Sequence, residues 1–381
     1  MRRIRVGAML AAALLAAACT SQAIPGTGSP SDPPVPAAQQ GSASAPPGSF
    51  TVIATGDVLI HPALTEQAAR DAQSTGRGDH DYRPLLAGVS DPISAADLAI
   101  CHLEVPLAAP GGPFSGYPSF SAPPELADAL ADTGYDSCST ASNHTLDQGE
   151  GGVRRTLDAL DDAVLRHTGS ARTEHEATTP LIMEVDGVKV GHVSFTFGFN
   201  GIELPEDKPW LANQLDADAV VEAAEAARAA GAEVVLASLH WGTEYQHEPT
   251  EEQRLLAKKL LAEESIDLIL GHHAHVVQPI EQIDGEWVAY GLGNHVAKHE
   301  EPRGVSEEGI AARFRFTRTA DGWRVDRAEY IPTLIELGPP IRLIDLTAAE
   351  LTSRRQEALD RTDRVVLGGG ADEDGLTRPG R

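Results

Sequence analysis

The stretch "LGHHAHVVQ" places three imidazoles, His272, His273 and His275, directly after the apolar run "IDLIL". Imidazole is the commonest metal-binding side chain, and the end of a core strand is a rigid mount for one. A histidine-rich surface turn is the plain alternative, so the cluster needs partners to mean anything. Four other apolar runs end in groups of the same chemistry: "FTVIATGD" in Asp57, "ADLAICHLE" in Glu104, "YDSCSTASNH" in Asn143 and His144, and "AEVVLASLH" in His240. Taken singly, an aspartate after a strand is usually a turn residue and a lone histidine is usually structural. Five strand ends together favour a metal site. Carboxylate, amide and imidazole form a mixed oxygen and nitrogen set that suits Zn, Mn or Fe better than Ca. Two such ions roughly 3.5–4 Å apart can clamp an ester and activate water at neutral pH.

The elements that must bring these groups together alternate between strand and helix. "PPELADALADTG", "EGGVRRTLDALDD", "DADAVVEAAEAARAAG" and "TEEQRLLAKKLLAEES" read as helices between the strand runs, the last opening on a capping box from Thr250 to Gln253. Such alternation implies βαβ units and a largely parallel sheet, where sites gather at the carboxyl ends of the strands. Three hairpins are expected, turning at Asp186-Gly187, Asp284-Gly285 and Asp321-Gly322. The fold class is therefore α/β in one domain, with strand-rich elements towards the end.

Net charge is −26, from 56 acidic and 30 basic residues. That balance argues against nucleic acid as a partner, since a polyanion is repelled. The first nineteen residues read as a signal: "MRRIR" is cationic, Val6–Ala18 is apolar but short, and "LLAAAC" leads into Cys19. This resembles a lipoprotein signal with Cys19 as the lipid-bearing residue, although Ala16 stands where leucine is usual. A plain secretory signal is the alternative. Residues 20–49 read as a Pro/Ser/Ala-rich tether, and residues 368–381 as an uncompacted tail. Cys101 and Cys138 lie inside apolar runs and are expected to be free buried thiols rather than a disulfide.

The blocks "GDVLIHPAL", "CHLEVPL", "SAPPELADALADTGYDSCSTASNHTLDQG", "LHWGTEYQHEPTEEQ" and "GHHAHVVQPIE…YGLGNH" resemble the CapA family, also called PGA_cap. That family is linked to poly-γ-glutamate capsule synthesis and is related to the calcineurin-like metallophosphoesterases. The resemblance runs from about Phe50 to His295 and leaves the tether and the C-terminal strands of 301–367 uncovered. It implies a metallophosphatase-like sandwich of sheets and helices over 50–300. It also implies that Asp57, Glu104, Asn143, His240, His273 and His275 are metal ligands, with His272 behind them. His144 would work on substrate, with Asp147 either orienting it or capping the next helix. Trp241 and Tyr245 are candidates for an aromatic substrate wall, although plain core packing is the stronger reading for Trp241. Three departures stand out. Leu59 replaces the histidine of the phosphoesterase Asp-x-His motif, with His61 nearby as a partial substitute. His102 stands where asparagine is usual, and His295 where an aromatic is usual.

The signal and the resemblance together imply an exported, lipid-anchored protein of extracellular polymer synthesis that hydrolyses an ester or amide with one or two divalent ions. Its partners would be the polymer or its synthase and export machinery, and the membrane through the lipid. The competing reading is a non-catalytic accessory subunit that binds polymer or synthase around a structural or degraded metal site. Leu59 favours the second reading; the Asn143-His144 pair favours the first.

Overall fold

The structure, a computed structural model, describes residues 48–299 and 301–380. Cys19 and the signal, with the tether up to residue 47, lie outside the described residues. The chain enters on β1 (Ser49–Leu59), followed by β2 (Leu98–Leu103), β3 (Ser137–Ser139) and β4 (Arg166–Thr168), all parallel neighbours in that order. The next six strands build a second sheet: β5 (Leu181–Val185), β6 (Val188–Thr196), β7 (Val234–His240), β8 (Leu268–His272), β9 (Ile280–Ile283) and β10 (Glu286–Ala289). Then β11 (Asn294–Ala297), β12 (Glu308–Thr319), β13 (Gly322–Glu336), β14 (Arg342–Asp345) and β15 (Leu376–Thr377) return to the first sheet. There β11 pairs parallel with β1 on its Asp57 end, and β12 pairs antiparallel along the rest of β1.

The period-two pattern of the strands explains the layering. On β1, Phe50, Val52 and Ala54 face a core shared with Val234 and Leu236 of β7 and Leu268 and Leu270 of β8, so the two sheets pack face to face. Ile53 points the other way, into a core capped by Leu64, Leu126, Leu130, Val153 and Leu157 of the flanking helices. Val235, Ala237 and Leu239 of β7 likewise pack outward on the helices Ala217–Ala229 and Glu251–Leu261. The result is helix, sheet, sheet, helix. The α/β expectation holds, as do the hairpins at Asp186-Gly187 and Asp284-Gly285, whose residues take the left-handed conformations such turns require. The Thr250–Gln253 capping box is formed in full.

Two expectations are corrected. Cys101 and Cys138 are bonded: parallel pairing of β2 with β3 sets them directly opposite each other, with Cα atoms 4.5 Å apart. Apolar surroundings said nothing about that register. The tail is also packed, because Leu376 lies on β13 through β15 and both Ala371 and Leu376 are buried.

Candidate metal centre

The strand-end groups converge. Asp57 sits at a register shift in β1, where its N–H donates to Gly293 O at 2.9 Å. Gly56 is required there, because a Cβ would stand 1.9 Å from the same carbonyl. A bulge of this kind re-aims a side chain, and the Asp57 carboxylate points at the "HHAH" loop. Its Oδ1 is 3.3 Å from His272 Nδ1, its Oδ2 is 3.1 Å from His275 Nδ1, and it accepts the His273 N–H at 3.2 Å. Glu104, just past β2, lies 3.7 Å from His275 Nε2 and 3.9 Å from His240 Nε2. Asn143 Oδ1 is 2.9 Å from His240 Nε2, and the His273 ring centroid is 4.7 Å from that of His240. All six expected ligands are therefore in one buried group. Both His273 (φ 89°) and His275 (φ 54°) hold left-handed backbone, a strained state that clusters at functional sites.

The electrostatics show a centre short of positive charge. Burial works to raise Asp57, but the imidazoles of His272 and His275 close against it outweigh that and hold the carboxyl well below its usual range. Burial pushes Glu104 well above its usual range, only partly offset by His275. Burial opposes charge on His275 too, yet Glu104 and Asp57 lift it to about 10. His273 is pushed down to about 3 by burial and by the His275 charge, and burial also drives His240 and His102 down. Neither buried carboxylate has a lysine or arginine partner among the described residues. Both Glu104 oxygens and His273 Nδ1 are buried without any hydrogen bond, a costly condition that native proteins avoid. One ligand atom each from Asp57, Glu104 and His275 lies within 4.8 Å of the others. A divalent transition ion fits this donor set.

The remaining candidates divide. His144 Nδ1 is 2.8 Å from Asp147 Oδ2, which also accepts the Phe120 N–H at 2.7 Å. Asp147 thus orients His144; the helix after it starts at Gly149 behind Gln148, and Asp147 does not cap it. Trp241 takes the core-packing role rather than the substrate wall, buried among the helix-side apolar residues of the second sheet with its indole N–H on Tyr290 O at 2.9 Å. Tyr245 is half-buried and borders the centre, 6.0 Å from the His275 ring. His61 bonds Leu59 O through Nδ1 at 3.0 Å, packs its ring on Phe120 and His299, and joins none of the candidate ligand groups among the described residues. His295 lies apart, with its Nε2 on Tyr135 Oη at 2.8 Å.

Several residues at the centre carry no obvious sequence signal. Asn200 takes the Asn143 Nδ2 hydrogen at 3.2 Å, from a left-handed turn whose only mark is the Asn-Gly pair. Phe197, partly exposed, lays its ring 4.5 Å from His273. Asn294 Oδ1 is 3.0 Å from His275 Nδ1. Glu244 closes on His273 and His275.

Residues 51–299 match the family described as "Bacterial capsule synthesis protein PGA_cap". The chain is similar to the capsule biosynthesis protein CapA of Bacillus anthracis, at 29% identity over 46% of this chain and 43% of that one. It is similar also to the PGA biosynthesis protein CapA of Bacillus subtilis, at 30% identity over 45% of each. It therefore spans a little under half the length of these curated relatives. Among solved structures, a calcineurin-like phosphoesterase from Bacillus subtilis is similar at 14% identity and a TM-score of 0.40, covering 83% of this chain and 97% of that one.

Proposed function

Because the chain belongs to the bacterial capsule synthesis family PGA_cap, we propose that it is an exported, metal-dependent hydrolase acting on an ester or amide of an extracellular anionic polymer or its precursor. The observation that carries this reading is the convergence of six strand-end donors, with Glu104 and His273 buried and lacking partners. Asp57, Glu104, Asn143, His240, His273 and His275 would hold one or two Zn, Mn or Fe ions. When bound, such an ion supplies Lewis-acid polarisation of the scissile group and activates the attacking water.

The chain's own residues supply the proton transfer. Asp147 fixes a proton on His144 Nδ1 and balances the imidazolium charge. His144 Nε2, which has no hydrogen-bond partner among the described residues, is then free to protonate a leaving group. A cavity of about 660 Å³ lies on the His275 side, walled by Tyr245 and His299 and carrying Lys298 and Arg303. Neither cation has a carboxylate partner among the described residues, and Arg303 instead lies 4.0 Å over the Tyr245 ring. Glu66 and Glu301 also line the cavity, so the two cations offset acidity locally rather than reverse it. In a chain at −26, the cavity thus offers an anionic substrate two cations that no carboxylate of the described residues engages. Export draws support from the "LLAAAC" signal and from the Cys101–Cys138 disulfide, which suits an oxidising compartment.

Buried Leu59, in place of a ligand, favours the accessory-subunit reading instead. One variant separates the two. His144→Ala should keep its metal and lose about 10²–10⁴ in turnover against a panel of phosphoesters and γ-glutamyl peptides. If the metal-replete parent turns over nothing and His144→Ala cells make normal polymer, the accessory reading stands. Fractionating the same cells carrying Cys19→Ala checks the anchor: the variant should leave the membrane fraction, and unchanged partitioning counts against lipidation.

A further inference from the structure

The strand-end donors leave one gap. Two residues after Asp57, where a further ligand would stand, Leu59 is buried in the helix-side core of the first sheet. We propose that Glu244, from the turn after β7, supplies a donor that the strand ends do not, forming with His273 and His275 a second, more exposed divalent-metal site beside Asp57 and Glu104. This rests on the metal-centre reading above.

Three observations carry it. One ligand atom each from Glu244, His273 and His275 lies within 4.8 Å of the others. Donors around a tetrahedral zinc at about 2.1 Å stand roughly 3.4 Å apart, so closure needs a movement of about an ångström. His273, a residue only 5% exposed, is a member of this set and has its Nδ1 buried without a partner.

The turn that bears Glu244 is also held in place from both sides. Trp241 N–H donates to His272 O at 3.2 Å and Tyr245 N–H to Ala274 O at 2.7 Å. The "WGTEY" turn is thus strapped by its backbone to the "HHAH" loop. Gly242 (φ 87°) makes the turn possible, since a Cβ there would stand 2.5 Å from Gln253 Oε1. Tyr245 is itself left-handed at φ 63°. An ordinary solvated carboxylate needs no such strap. Glu244 is exposed and has no ion pair with a lysine or arginine among the described residues, so a metal faces no competing partner.

The test is calorimetric titration of the chelator-stripped full-length protein with Zn²⁺ and with Mn²⁺, folding being monitored by circular dichroism. The parent should take up two ions per chain. Glu244→Gln, which keeps shape and removes charge, should retain one ion at parental affinity and bind the second about 10- to 100-fold more weakly or not at all. Loss of even a supporting group around a metal typically costs that much. Glu248→Gln, on an exposed carboxylate four residues on, should match the parent and control for general loss of negative charge. An unchanged two-ion isotherm in Glu244→Gln, or a single ion in the parent that the substitution does not touch, overturns the proposal and leaves the metal centre standing. A parent that binds neither metal removes both.

Discussion

His102 stands where the family pattern has asparagine, and its ring shows what that exchange does. Its Nδ1 is 2.8 Å from Ser139 Oγ and its Nε2 is 3.0 Å from His240 Nδ1. With both nitrogens engaged, it sets the tautomer of His240 and leaves His240 Nε2 facing Asn143 and the centre, a supporting role typical of groups behind a ligand. The candidate donors were legible because each lies at or just past the end of an apolar run, and the parallel sheet gathers such ends. Glu244 and Asn200 were not, because turn residues meet their partners through loop geometry that no periodicity reports. Buried neutral histidines also govern acid behaviour at this scale. His192 on β6 bonds Ser238 Oγ through Nε2 at 2.9 Å, and burial, with the nearby His272, lowers its pKa to about 3. In the unfolded chain it titrates near 6.5. The unfolded state therefore binds the extra proton between pH 6.5 and 3, so this stability is complete above 6.5 and is lost as pH falls. His192→Gln should show a shallower loss of melting temperature between pH 7 and pH 5 than the parent. An identical slope would assign the acid lability to other groups.

At the scale of elements, hairpins and the capping box were readable from local turn chemistry, and cross-strand register was not. The disulfide shows the difference. Cys101 and Cys138 are 37 residues apart in sequence, and only the pairing of β2 with β3 makes them neighbours. The bond ties together the strands that lead to Glu104 and to Asn143-His144, so it braces the centre as well as the core. Closing a loop of that length removes about 3–4 kcal/mol of chain entropy from the unfolded state in the loop-closure treatment. The double variant Cys101→Ala, Cys138→Ala should lose stability of that order in urea titration, and reduction of the parent should reproduce it. If reduced and oxidised protein unfold at the same urea concentration, the bridge contributes nothing.

The C-terminal strands show most plainly what the whole chain adds. Their antiparallel pattern was visible in "GIAARFRFTRTADGWRVDRAEYI", but not that β12 would pair along β1 and complete the first sheet. That decision belongs to the shared core, where Phe314 and Phe316 of β12 join Phe50 of β1 between the sheets. The same sandwich brings together at one end donors that lie more than two hundred residues apart, among them two buried carboxylates without a lysine or arginine partner among the described residues. A metal that binds only the native state must add to its stability. Elemental analysis of purified full-length protein, paired with melting before and after chelation, tests this most directly. The parent should carry Zn, Mn or Fe at one to two equivalents and melt lower once stripped, while the double variant His240→Ala, His273→Ala should carry less metal than the parent and respond less to chelator. A parent free of transition metal after metal-replete growth, with melting indifferent to chelator, would contradict the metal centre.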